Sequence, residues 1–276
     1  IITLLLESAR DIYGFVGENG SGKTTIIRLI TGLIFPQSGS FELFGIKNTE
    51  KAINEARRGI GAIVENPSIY LNMSAYDNLK QQCILLGKDE KQILPTLKEV
   101  GLENLYYEKK KAGDFSLGMR QRLGIAMALL GEPEFLILDE PMNGLDPAGI
   151  VGIRELILRL NRERGITFLI SSHILTELSL VATKYGIISK GRLLKEITAE
   201  QLHQECTKTT TFSAADPNAL AECIRSAFPE SVMKRTNEGV SLLGDIDLNS
   251  ILTAILAENI KLLSINCSQT SIEEYY

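Results

Sequence analysis

The sequence predicts an α/β fold in which a largely parallel sheet is wrapped by helices, and three observations carry that reading. Strand-like runs at Ile12–Val16, Gly59–Val64, Phe135–Leu138, Thr167–Ser171 and Tyr185–Ser189 alternate with helical patterns such as Thr24–Leu33 and Arg120–Leu130, and such alternation builds parallel sheets covered by helices. The run "FLILD" is apolar without interruption up to its acid, as strands buried on both faces are. After about Gln201 the texture changes to an order of strand-helix-strand-strand-helix-strand, which resembles a small split βαββαβ unit.

A chain of 276 residues has room for one large domain with a small appendage. The expected division is a first domain over 1–200 and an α+β unit over 201–276. Within the first domain, "SAYDNLKQQCILLG" and "EKQILPTLKEVG" read as two helices of an inserted helical subdomain at about 66–131. In the second, "TKTTTFSA" precedes a helix opened by Asp216 as N-cap with Pro217 at its first position. A hairpin signal at Asn237-Glu238-Gly239, the helix "LNSILTAILAENI" and the strand "IKLLSIN" complete the unit.

Hydrophobic content of 44% with 23% charged residues describes a globular protein with a somewhat apolar surface. No apolar run reaches the roughly 18 residues of a membrane span. The opening "IITLLLESAR" is short and lacks a basic flank, so it does not read as a signal peptide, and a cytosolic location is expected. A net charge of −5, with "YYEKKKAG" as the only basic run, argues against a general nucleic-acid or anionic-membrane surface. Cys83, Cys206, Cys223 and Cys267 include no close pair, which suggests reduced structural thiols.

"GENGSGKTT" comprises Gly17, Glu18, Asn19, Gly20, Ser21, Gly22, Lys23, Thr24 and Thr25, and it sits between the strand "DIYGFV" and the helix "TIIRLITGL". It matches G-x-x-x-x-G-K-[ST] in the context that pattern needs: glycines let backbone N–H groups approach phosphate oxygens, and the helix start adds partial positive charge. Lys23 is then expected at the β- and γ-phosphates and Thr24 at Mg²⁺. Downstream, "FLILDEP" ends a buried strand in two acids. Asp139 suits a Mg²⁺-holding acid and Glu140 the group that polarises an attacking water; alone, such a pair is more often a helix cap or surface acid. His173 ends "TFLISSH" where a γ-phosphate sensor would be needed, whereas His203 lies in the polar "AEQLHQE" and reads as a surface residue.

"FSLGMRQRLGIAMALLGEP" offers a second helix start, at Ser116 and Gly118, able to hold phosphate. Such a start finds its use at the nucleotide of a second copy. It equally suits an N-capped core helix with Leu123, Ile125, Ala126 and Leu129 on its buried face.

Taken in order, the phosphate loop, "FSLGMRQR", "LILDEP", "NGLD" and "SSH" resemble an ATP-binding cassette (ABC) ATPase over about residues 11–195. The resemblance implies a P-loop NTPase core that uses ATP and Mg²⁺. It places Ser116 to Met119 at the signature sequence that binds the γ-phosphate of the opposite subunit, Asp146 at the D-loop, and Glu65 at the Q-loop. Glutamine is usual there. The glutamate, with "IVENPSIYLNMSAYDNL", is similar to the bacitracin-exporter and lantibiotic-immunity ATPases. That makes Glu65 a candidate Mg²⁺ and coupling residue, against the reading of a solvated strand-end acid. The family usually has two further strands and an adenine-stacking aromatic before the phosphate loop; "IITLLLESARDIYGF" is too short for them, and no stacking residue is assigned.

The function implied is the ATP-hydrolysing motor subunit of an exporter for antimicrobial peptides, peripheral on the cytoplasmic face of the membrane. Its partners would be an integral-membrane permease and a second ATPase copy, with no nucleic acid. The alternative is a soluble ABC ATPase acting on a nucleoprotein in translation or DNA repair, which the acidic balance and the lack of a long coiled-coil insertion disfavour.

Overall fold

The computed structural model describes residues 10–205, 208–236, 238–244 and 246–269. Its elements are β1 (Ile12–Val16), α1 (Lys23–Thr31), β2 (Glu42–Leu43), β3 (Ile46–Lys47), α2 (Ile53–Ala56), β4 (Ile60–Ile63), α3 (Ala75–Leu86), α4 (Ile93–Glu99), α5 (Leu117–Leu129), β5 (Phe135–Asp139) and α6 (Pro147–Arg164). There follow β6 (Thr167–Ser172), α7 (Leu175–Leu178), β7 (Lys184–Ser189), β8 (Arg192–Thr198), α8 (Ala199–Glu205), β9 (Lys208–Ala214), α9 (Pro217–Ala227), β10 (Val232–Thr236), β11 (Gly239–Leu243), α10 (Leu248–Ala257) and β12 (Leu262–Gln269). The chain divides into two compact units that meet between Ala199 and Glu200.

In the first unit a six-stranded sheet has the order β4-β5-β6-β1-β7-β8. All its pairs are parallel except β7–β8. Every residue of β1 and β5 is buried, which explains their unbroken apolar sequences. Tyr13, Phe15, Ile27, Ile137 and Leu169 are among the residues of the core between the sheet and α1. Register fixes the functional geometry: Val16 lies opposite Ser172, and Asp139 opposite Ser171. The carboxyl ends of β1, β5 and β6 are therefore level, at the edge where open α/β sheets bind ligands.

Helices α3, α4 and α5 fill the interval between β4 and β5. Ser74 and Asp77 form a reciprocal capping box at the start of α3. The predicted helix "EKQILPTLKEVG" is split: Glu90–Gln92 make a 3₁₀ turn under an Asp89 cap before α4 begins. Pro95 falls in the first turn of α4, where a missing N–H costs nothing. Helix α5 lies tight on β4. A Cβ added at Gly61 would stand 3.2 Å from the Ala128 Cβ, and one at Gly124 would stand 2.5 Å from the Pro67 Cβ.

The second unit runs β9-α9-β10-β11-α10-β12, as an antiparallel sheet of order β10-β11-β9-β12. Phe212, Leu220, Ile224, Val240, Ile251 and Ile255 are in its core. Asp216 accepts from the N–H groups of Asn218 and Ala219, with Pro217 at the first helical position. Thr236 pairs with Gly239 across the hairpin; Asn237 lies outside the described residues, as do 1–9 and Cys206. The His203 side chain is likewise outside the description.

Candidate functional site

The phosphate loop leaves the end of β1 and turns into α1. A Cβ at Gly17 would meet the Ile188 carbonyl oxygen at 2.4 Å and the Ser21 Oγ at 2.5 Å, so only glycine fits there. Gly20 and Gly22 have φ of 80° and 109°, and Gly22 caps α1 with no side-chain bond. The first amides of α1 thus have no side-chain cap, as an anion site requires. Ser21 Oγ is buried with no hydrogen-bond partner, and an oxygen-rich ligand would satisfy it. Glu18, Asn19, Gly20 and Thr25 are exposed.

Lys23 is buried to 5% exposure, so its ammonium needs partners. It donates to the Gly17 carbonyl at 2.5 Å and the Glu18 carbonyl at 3.2 Å, and stands 3.3 Å from Glu140 Oε1. One turn into the site, Thr24 Oγ1 donates to Asp139 Oδ2 at 2.9 Å, and Ser171 Oγ donates to the other Asp139 oxygen. Asp139, only 2% exposed, is held by hydroxyls on both sides.

Glu140 leaves the strand with φ of 49°, an uncommon left-handed conformation for a glutamate. Its N–H donates to Ser171 Oγ at 2.9 Å, so one hydroxyl braces both acids. Glu140 Oε2 lies 2.8 Å from His173 Nδ1. A carboxylate only accepts, so Nδ1 carries the proton in this bond. Lys23, Glu140 and His173 therefore form one chain of contacts. Nearby, burial pushes the Glu177 carboxyl above the usual carboxylate range, with the Glu140 charge adding and His173 opposing.

The remaining candidates are placed differently. Ser116 is exposed and caps α5, accepting from the Met119 N–H at 3.2 Å. Asp146 is exposed and caps α6, accepting from the Gly149 N–H at 3.1 Å. These two helix starts are neighbours: a Cβ at Gly118 would lie 3.9 Å from the Gly149 Cα. Glu65 is exposed, has φ of 61°, and its carboxylate is ion-paired with the Arg28 guanidinium on α1 rather than bonded to Thr24 or Asp139. Sequence reasoning missed Ser171 and Arg28. Ser171 was within reach, because the first serine of "SSH" falls level with Asp139 once β5 and β6 are paired.

A loop that cradles phosphate, a threonine on an aspartate, and a glutamate braced by lysine and histidine together define a nucleotide-hydrolysing P-loop protein. The chain belongs to the ABC transporter family, whose family model matches residues 6–143, and it is an ATPase. It is 43% identical over 269 residues to the bacitracin transport ATP-binding protein BcrA of Bacillus licheniformis, covering 96% of this chain and 87% of that one. It is 46% identical over 185 residues to the lantibiotic transport ATP-binding protein SrtF of Streptococcus pyogenes, covering 67% and 78% of the two chains. Among solved structures, cbiO1 of Clostridium perfringens, part of the cbiONQ transporter complex, superposes with a TM-score of 0.64 at 25% identity, covering 80% of this chain and 85% of that chain.

Proposed function

We propose that this ATPase drives export of a membrane-active antimicrobial peptide of the bacitracin or lantibiotic type. It would act as a pair of copies docked on a permease at the cytoplasmic face of the membrane. Similarity to the two peptide-transport ATPases supports the cargo class. In this reading the conduit is a partner's; among the described residues no helix is long and apolar enough to cross a membrane. A groove of about 660 Å³ between β4 and the helical insert offers that partner a seat, with Arg57, Gln82, Leu85, Leu86 and Met127 among its walls. Leu85 is 76% exposed, a surface that a permease helix would cover.

The single observation that carries the mechanism is the Lys23–Glu140–His173 chain of contacts. Lys23 and the loop amides bind the β- and γ-phosphates, exchanging the Gly17 and Glu18 carbonyls for phosphate oxygens. Glu140 orients the attacking water and accepts its proton. His173, whose Nδ1 proton is committed to Glu140, fixes that carboxylate's direction. The Thr24–Asp139 pair fits Mg²⁺, because Thr24 gives its proton to Asp139 and keeps its oxygen lone pairs for a hard cation. Mg²⁺ there would neutralise charge on the transferring phosphoryl group. Among the described residues no cluster of three or more His, Cys, Asp or Glu is placed to hold a metal. The cation's other ligands are then phosphate and water oxygens, with Glu65 as the further candidate. Ser116, Gly118 and Asp146 serve the nucleotide of the second copy.

The test is complementation. Expressed with its permease in a peptide-sensitive strain lacking both genes, the wild-type chain raises tolerance to bacitracin or a lantibiotic, and Glu140→Gln does not. Unchanged sensitivity to every peptide tried, despite intact ATPase activity, removes the cargo assignment.

A further inference from the structure

We propose that Arg28 is a positioning residue that holds Glu65 away from the cation site, so that Mg²⁺ binding must first break an ion pair. The inference rests on the reading of Glu65 as a cation ligand. Three observations carry it. Arg28 follows Thr24 by one turn of α1, and residues four apart share a helix face. Glu65 is therefore tethered to the helix that carries the threonine bonded to Asp139, and its carboxylate is engaged with Arg28. The tether is sound on the helix side, because Arg28 lies in the last turn of α1, where the helix dipole favours a cation.

Glu65 also sits at φ of 61°, a conformation that costs a non-glycine residue energy, and an unpartnered surface glutamate would gain nothing from it. The Arg28 contact is the interaction that this conformation makes. Both side chains are partly exposed, at 40% and 57%, so the pair is screened and weak enough to open. A glutamine at this position could still accept from the guanidinium through its amide oxygen but would lose the ion pair. The glutamate and the arginine thus work as a unit: the anion that attracts the cation is the one the guanidinium restrains.

The experiment measures Mg²⁺ dependence of binding, not turnover, with a fluorescent non-hydrolysable ATP analogue. Arg28→Met frees Glu65 and lowers the half-saturating Mg²⁺ concentration by about two- to five-fold, the scale of an exposed ion pair. Arg28→Lys keeps wild-type behaviour. In a Glu65→Ala background, Arg28→Met has no effect, because nothing is left to restrain. Without nucleotide, amide exchange at Glu65, Asn66 and Ser68 is faster in Arg28→Met than in wild type. If Glu65→Ala shifts the Mg²⁺ dependence but Arg28→Met does not, or if Arg28→Met shifts it equally in both backgrounds, the restraint is refuted and Glu65 remains a ligand. If Glu65→Ala leaves the Mg²⁺ dependence unchanged, Glu65 is not a ligand, and both readings fall.

Discussion

The phosphate-loop side of the site and the signature side differ in how complete they are. Lys23, Asp139 and Ser171 are buried, and each polar atom has a partner within the same chain. Ser116 and Asp146 are exposed, and each bonds only the start of its own helix. Burial with these three groups satisfied marks a largely pre-organised half, in which Ser21 Oγ alone among its buried hydroxyls awaits a ligand. Exposure with a cap alone suits a half whose ligand comes from outside, the role that the proposed function gives to the nucleotide of a second copy.

The contrast can be broken most forcefully at Glu140. Glu140→Gln should keep nucleotide binding and lower turnover by about 10²–10⁴-fold, the scale of a lost general base. Near-normal single-turnover rates would remove that role. Lys23→Ala acts on the same half but on binding: fluorescence titration should show ATP affinity falling, while Glu140 keeps its His173 bond and loses only its cation. On the signature side, excess Ser116→Arg protein mixed into wild type should lower activity per wild-type subunit. Strict proportionality to wild-type concentration would mean that each copy works alone.

Ser171→Ala sharpens the comparison, because it strips a hydrogen bond from buried Asp139. It should cost about 1–3 kcal/mol in denaturant unfolding. Asp146→Ala, by contrast, removes an exposed cap and should cost about 1 kcal/mol. Equal costs would mean that the two halves are organised alike.

The legible parts of the sequence were those that depend on neighbours along the chain. The unbroken apolar runs of β1 and β5, the phosphate loop, and the Asp216-Pro217 helix start are local signals. The two-residue strands β2 and β3 are too short to show alternation, and β8 was not read as a strand. Helix α6, directly after "NGLD", is likewise not among the elements expected from the sequence. Pairings between distant residues are not local. Asp139 and Ser171 are 32 residues apart, and Arg28 and Glu65 are 37 apart; only sheet register and the path of α1 bring them together. The sequence singled out Glu65, but its engagement with Arg28 needed coordinates.

The seating of Pro67 on Gly124 has a mechanical consequence. A contact with no room for a methyl group cannot absorb displacement, because close-packed interiors have no soft layer. Motion that presses the turn carrying Glu65 and Pro67 toward α5 therefore has to displace the helix. Gly124 lies about 12 Å along the helix from Ser116, at about 1.5 Å per residue. A tilt of α5 of about 10° about a point that far away swings Ser116 by about 2 Å, as much as makes or breaks a hydrogen bond. Gly124→Ala would overfill the contact, so either α5 or the Pro67 turn has to give way.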